Sequence, residues 1–441
     1  MTDIAQLMKK PSFRSSHRCS AESLNSRNNP YDSSGKIFIT GAAHIYDVSS
    51  VNIVGAFVDT IRQIYNGVLD EGFLHMLETA FQKDELIELK TPLGQAACHC
   101  QWHVQKMGKA SGYRYKLQNS DVGLVILVGS YYQKAEVAGS HLKIEASPHF
   151  LKANNAQIAQ TVIDHIASLI LHNPEPAGVA IHLAVDLQGW KPAHDHLENF
   201  VTYARFVRNY MGLQTAEIGD GFSDVACKYG SGDAETITIG KPTGLQTSIY
   251  NKTKQAKVID KVDYYNSEWS IYSLGSYDPQ GQDVYRVEYR FHHSIVRELV
   301  VGEHSNCVTY LQASKILRNL WQYAIMRNRL EIEPKLIHPV WQMMFEDVEF
   351  HTDHKGVLPM RQKKQDVSAI SKNYDLMVGN LISITARQTS DVNFLIRELK
   401  KLHFYDDLMR YYRVERRVGE VELRERLKKS LLLRRMLRNA A

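Results

Sequence analysis

An α+β fold is what the hydrophobic pattern of this chain predicts: a central antiparallel sheet with flanking helices, then a helical C-terminal region. Three observations predict it. Between Tyr113 and Phe291, short runs alternate polar and apolar residues and are separated by Gly, Pro and Asp, the pattern of strands joined by turns. Within that stretch, Asn155–His172 carries Ile158, Val162, Ile163, Ile166, Leu169 and Ile170 three and four apart, which marks an amphipathic helix. From Val367 onward the spacing is helical, and Gly379 and Gly419 are the only glycines.

At 441 residues the chain exceeds one typical core, so two or three domains are expected. Residues 1–35 are rich in Ser, Asn, Arg and Lys and read as a disordered arm. Residues 36–300 form the α+β domain, and 301–441 the helical region. Taken in order, Val51–Val68 has helical spacing and Phe73–Phe81 reads as a second helix. Strands follow around Tyr113–Leu117, Gly123–Val128 and Ser140–Ser147. Val179–Leu187 is an apolar run suited to a buried strand, and on it His182, Ala184 and Asp186 share a face. His194-Asp195-His196 opens a helix expected over Leu197–Met211. Glu235–Ile239 and Leu245–Lys252 make a hairpin about the turn Gly240–Gly244. Thr253–Lys261 reads as a charged connection and Tyr264–Tyr277 as an aromatic loop. Helices are expected over Thr309–Asn328, Val367–Arg387, Ser390–Tyr411 and Glu415–Asn439.

Charge is uneven. Arg410–Ala441 holds eleven Lys/Arg against four Asp/Glu, more than the whole chain's net +5, so the body is about neutral and the tail basic. Such a tail suits nucleic acid, or simply a solvated helix. Five cysteines at irregular spacing imply no disulfide framework, and Cys98-His99-Cys100 with His103 lacks the second ligand pair of a zinc site. No apolar run reaches the ~18 residues of a membrane span, and no signal peptide is apparent. A cytoplasmic protein with no membrane partner is expected.

The chemistry concentrates on two strands. In Gln246–Lys252, period two puts Ser248, Tyr250 and Lys252 on one face, and in Asp283–Phe291 it puts Arg286, Glu288 and Arg290 on one face. Exposed strands use such side chains for ordinary cross-strand pairs. If the two faces meet, they offer a nucleophile, a metal ligand and anion-binding groups. Tyrosine, with a free pKa near 10, suits attack on a DNA phosphodiester, because phenolate is also a good leaving group for resealing. Glu145 is a spare acidic candidate.

Thr236-Ile-Thr-Ile-Gly240, Ile249-Tyr-Asn-Lys252 and Tyr285-Arg-Val-Glu-Tyr-Arg290, with Val185-Asp-Leu187 and His141–Ser147 before them, resemble the Rep_trans family of rolling-circle replication initiators of plasmids and phages, relatives of mobile-element relaxases. The likeness covers roughly residues 110–300. It implies a metal-dependent endonuclease that nicks and rejoins one DNA strand at an origin. Tyr250 would be the nucleophile, forming a 5′-phosphotyrosyl link. Asp186 and Glu288 would bind Mg²⁺ or Mn²⁺, and Lys252, Arg286 and Arg290 would hold the phosphate. It also implies DNA that is partly single-stranded or hairpinned, contact with the host replication machinery, and room for oligomerisation. Asn251 stands where the family has Glu, and Tyr264 and Tyr265 neighbour Tyr250 as rivals. A relaxase would use the same site, and a non-catalytic DNA-binding regulator would use none of it.

Overall fold

The computed structural model describes residues 24–27, 34–39, 44–93, 96–193, 196–202, 204, 225–230, 233–333, 335–362, 370–414 and 418–439. Two compact units divide the chain: 1–206 with 223–362, and 207–222 with 363–441.

In the first unit, eleven strands make one antiparallel sheet among the described residues. They are β1 (Asn52–Leu69), β2 (Ile87–Leu93), β3 (Ala96–Lys106), β4 (Tyr113–Asn119), β5 (Leu124–Ser130), β6 (Gly139–Ala146), β7 (Leu171–Gln188), β8 (Val225–Gly230), β9 (Asp233–Ile239), β10 (Leu245–Asn251) and β11 (Val284–Phe291). Across the sheet the order is β8-β9-β10-β11-β7-β1-β6-β5-β4-β3-β2. The α+β expectation holds. The β9–β10 hairpin turns at Gly240, whose φ of +95° suits glycine.

Helices α1 (Glu71–Lys83), α2 (Pro148–Ala153), α3 (Ala156–Ile170), α4 (Lys252–Val258), α5 (Val262–Tyr272), α6 (His293–Glu298), α7 (Tyr310–Ser314), α8 (Leu317–Arg327) and α9 (Pro339–Asp347) belong to the same unit, with several shorter elements. Asp70 caps α1 and Asn155 caps α3 by accepting from Phe73 and Ile158 backbone N–H groups. One face of the sheet is the core. There Ile181, Leu183 and Val185 of β7, Val287 and Tyr289 of β11, and Ile61 and Tyr65 of β1 are buried with α3, α8 and α9. Polar links stitch this layer together: Tyr289 Oη donates to Asn328 O at 2.6 Å, and Trp341 Nε1 donates to Tyr289 Oη at 3.2 Å. The segment 301–362 therefore belongs with the sheet, and the boundary lies at 362, not at 300. Over one end of the other face lie α4 and α5, whose Ala256, Tyr265 and Trp269 bury Val54 and Val284.

The structure revises several local expectations, among them the charged connection Thr253–Lys261, most of which is helix α4. Val51–Val68 is a strand, not a helix. Burial there falls on Ile61, Gln63, Tyr65, Gly67 and Leu69, a period of two that a buried Gln and a Gly conceal from a hydrophobicity reading. Within the described part of the helix expected over Leu197–Met211 there is a single turn, His196–Asn199, followed by a short strand Phe200–Val201 paired with Arg329–Leu330; residue 203 is not among the described residues. Residues 205–211 of that stretch lie outside the described residues. Tyr264–Tyr277 is mostly helix α5, because Tyr265 and Trp269, four apart, both reach the sheet. Of the arm 1–35, residues 1–23 and 28–33 lie outside the described residues. Asn25 and Arg27 are anchored: Asn25 bonds Gln342, and Arg27 pairs with Glu346 and Asp347 at 2.7 and 2.8 Å.

The second unit, within its described residues, is helical: α10 (Ile370–Gln388), α11 (Val392–Lys400), α12 (Tyr405–Val414) and α13 (Glu420–Asn439). Ser390–Tyr411 is thus two helices, broken at 401–404. The unit has its own core of Val378, Ile382, Leu395, Leu399, Leu408, Leu423, Leu427 and Leu431. Among the described residues no helix is long and apolar enough to cross a membrane.

Candidate metal centre and active-site cleft

Four adjacent strands, β10, β11, β7 and β1, set the floor of an open cleft of about 710 Å³. Register places Tyr250 opposite Arg286, Arg286 opposite Asp186, and Arg290 opposite His182. On β1 the pairing runs Val58 with Leu183 and then Thr60 with His182, so Asp59 is an extra residue. This β-bulge breaks the alternation and lets both Asp59 and Thr60 line the cleft.

Asp59, His182 and Glu288 each offer a ligand atom, and these atoms lie within 4.8 Å of one another. His182 Nδ1 stands 2.9 Å from Glu288 Oε1. One imidazole and two carboxylates suit a divalent ion that accepts nitrogen as well as oxygen, such as Mn²⁺. Glu288 is the hub. Arg290 donates to both its oxygens at 2.8 Å, and Tyr250 Oη donates to Oε2 at 3.2 Å. Burial pushes the Glu288 carboxyl upward, but the hydrogen bonds from His182 and Arg290 outweigh it and hold it far below the usual carboxylate range.

Tyr250 lines the cleft, and its hydroxyl is turned to the polar face. Burial raises its pKa well above 10, Arg286 opposing and Glu288 adding to the rise, so the phenol is protonated as it stands. Lys252, the first residue of α4, also lines the cleft, with Nζ 2.7 Å from Gln255 Oε1 and 4.2 Å from the centre of the Tyr265 ring. Burial, then Arg286, lowers its pKa to about 8.

The sequence reading and the structure part at two residues. Asp186 is not in the ligand cluster. It is fully buried, and its oxygens accept from Arg286 Nε at 2.6 Å, Arg286 Nη2 at 2.8 Å and Trp269 Nε1 at 2.8 Å. Arg286, also fully buried, sends Nη1 to Asp59 Oδ1 at 2.5 Å. It is therefore a strut beneath the cleft that orients Asp59, and no phosphate can reach it through that packing. Tyr250, Lys252, Glu288 and Arg290 do come together. Glu145 pairs with Arg62 and Lys143 and lies outside the triad. Asn251 caps α4 through Lys254 N at 2.8 Å, which accounts for an amide there. The side chains of Cys98 and His99 lie outside the described residues.

Asp59 and His182 were not assigned from sequence. His182 was legible on the Asp186 face but carried no motif. Asp59 was hidden because its segment read as a helix; the β-branched density of Val51–Ile64 was the available signal.

No protein-family model matches the chain. It is 32% identical over 382 residues to a protein of Pseudomonas phage Pf1 described as uncharacterized protein ORF430, covering 83% of this chain and 85% of that protein.

Proposed function

The chain belongs to the family of the Pseudomonas phage Pf1 protein ORF430, and on that premise we propose that it is a rolling-circle DNA replication initiator of the Rep_trans kind, a nicking and joining endonuclease with Tyr250 as nucleophile. The observation that carries this reading is the aim of the Tyr250 hydroxyl at Glu288 in an open cleft shared with Asp59, His182, Lys252 and Arg290. The phage source of that relative is compatible with a replication role.

Asp59, His182 and Glu288 would hold Mn²⁺ or Mg²⁺, which when bound would neutralise charge on the scissile phosphate. Tyr250 Oη attacks phosphorus; Glu288 Oε2, the acceptor it already faces, orients the hydroxyl, and the proton leaves to solvent in the open cleft. The bond from phosphorus to the 3′-oxygen breaks, leaving a 3′-hydroxyl to prime synthesis and a 5′-phosphate on the tyrosine. Lys252 and Arg290 supply positive charge at the cleft, and Arg290 also fixes the Glu288 carboxylate. Attack by the free 3′-hydroxyl reverses the step and reseals the strand.

The test is nicking of supercoiled origin DNA with Mn²⁺. Wild-type protein gives an open circle and a covalent protein–DNA adduct, and Tyr250→Phe gives neither. An adduct persisting in Tyr250→Phe removes this nucleophile. Absence of metal-dependent nicking in the wild type favours a non-catalytic DNA-binding regulator.

A further inference from the structure

The cleft is larger than one phosphate requires. At about 710 Å³ it lies within the ~300–1,000 Å³ range of pockets that enclose whole organic ligands. Tyr250, Lys252 and the triad account for one end. Beyond Arg290, the lining continues through Phe291, His292 and His293, with Tyr113 and Lys143 also on the wall. His292 is four residues past Glu288, which at ~3.3 Å per residue is about 13 Å along the strand direction. That is the reach of a neighbouring nucleotide, not of the reacting phosphate.

The two histidines are built as a surface. Their rings lie 4.0 Å apart between centroids and 42° to each other. His292 is held by Ser294: its Nδ1 is 2.9 Å from Ser294 Oγ, and it caps α6. His293 lies on the backbone of β7 at Gly178, where an added Cβ would come within 3.0 Å of its Nδ1. A side chain there would require the ring to give way by a few tenths of an ångström. That nitrogen is sealed from solvent with no hydrogen-bond partner, a cost the fold accepts to keep the ring in place. Burial lowers the pKa of His292. Burial, then His292 and Arg297, lowers that of His293 to about 4. Both rings are therefore neutral at physiological pH and offer π faces instead of charge. Neutral rings offer a phosphate no charge, whereas an unpaired base stacks on such rings whatever its sequence.

We propose that this end of the cleft is a nucleobase subsite, in which the unpaired base of a nucleotide flanking the reacting phosphate stacks on the His292–His293 pair. The inference deepens the initiator reading and rests on it. It requires a substrate that is single-stranded at that position, because a base inside a duplex has both faces stacked on its neighbours.

The experiment measures binding by fluorescence anisotropy with the full chain, without metal, so that nothing is cut. The probes are a short oligothymidylate and an abasic-spacer oligodeoxynucleotide of equal length, which carry the same phosphates. Wild-type protein should prefer the thymidylate by about tenfold, the size of one base–aromatic stack. In His292→Ala/His293→Ala the preference should collapse towards one while abasic binding is unchanged. A His292→Phe/His293→Phe protein, which keeps stacking faces, should recover it. Equal affinity of the two probes for wild type, no binding of either, or a preference that survives the alanine pair overturns the subsite. A thymidylate preference lost in the alanine pair, in a protein that forms no tyrosyl adduct with origin DNA, keeps the subsite as single-strand binding and removes the initiator reading instead.

Discussion

Replacing Arg286 with methionine should destabilise the first unit by about 3–5 kcal/mol, the cost of breaking a buried ion pair from one side. The size follows from what the guanidinium touches. Both Arg286 and Asp186 are fully buried, and Arg286 gives two hydrogen bonds to Asp186 and one to Asp59. Each hydrogen bond to a charged group contributes ~1.5–3 kcal/mol, but these replace hydration lost on burial, so the three do not simply add. After the substitution Asp186 keeps the Trp269 indole as a donor but remains a fully buried carboxylate without its cation. Asp59, with a side chain 16% exposed, can recover some hydration. The double variant Arg286→Met/Asp186→Leu removes both buried charges and should therefore recover at least about 2 kcal/mol of the loss. All five tryptophans lie in the first unit, so fluorescence-monitored urea unfolding reads this unit alone. A loss under ~1 kcal/mol for Arg286→Met, or a double variant no more stable than the single one, would refute the claim that Arg286 is a buried strut.

Further outcomes follow from the same geometry. Asp59→Asn, His182→Gln and Glu288→Gln should each weaken Mn²⁺ binding, read by calorimetry, by more than ~100-fold. Asp186→Asn, acting only through Arg286, should cost about 10–100-fold, and a reversed ranking would return Asp186 to the ligand set. His338 caps α9 through Val340 N, and burial, then His196, lowers its pKa to about 3, so its folded value lies below its unfolded 6.5. The unfolded chain then binds the proton first, and stability is full above pH 6.5 and falls as pH drops towards 3, by up to ~1.4 kcal/mol per pH unit. His338→Asn, which keeps a capping acceptor, should flatten that slope in urea midpoints measured across the window; an unchanged slope assigns the acid loss elsewhere. Deleting Arg410–Ala441 would strip Leu423, Leu427 and Leu431 from the second unit's core, so charge substitution tests the basic tail better. Changing Arg426, Lys428 and Lys429 to glutamine should reduce the salt slope of duplex binding by about 0.9 per charge, and an unaltered slope argues against a DNA role for α13.

Much of the site could be read before folding is considered, for a local reason. Ser248 and Tyr250, or Glu288 and Arg290, share a face because strand side chains repeat every two residues, and the hairpin about Gly240 lies in consecutive sequence; Lys252 follows one residue past the strand, at the start of α4. The amphipathic helix α3 was legible for the same reason, its burial repeating at three and four. What the residues of one strand cannot specify is its neighbour. Asp186 and His182 lie on one face of one strand, yet Arg286 opposite Asp186 makes it a sealed ion pair, while Arg290 opposite His182 leaves that ring beside Glu288 and the cleft. Asp59 joins them only because β1 pairs with β7 across a bulge, a contact between residues more than a hundred positions apart. Period-two geometry is set by the backbone of each strand, so sequence alone determined which side chains travel together. Which carboxylates meet a metal and which meet an arginine was decided by strand order and register, and those exist only once the sheet has closed.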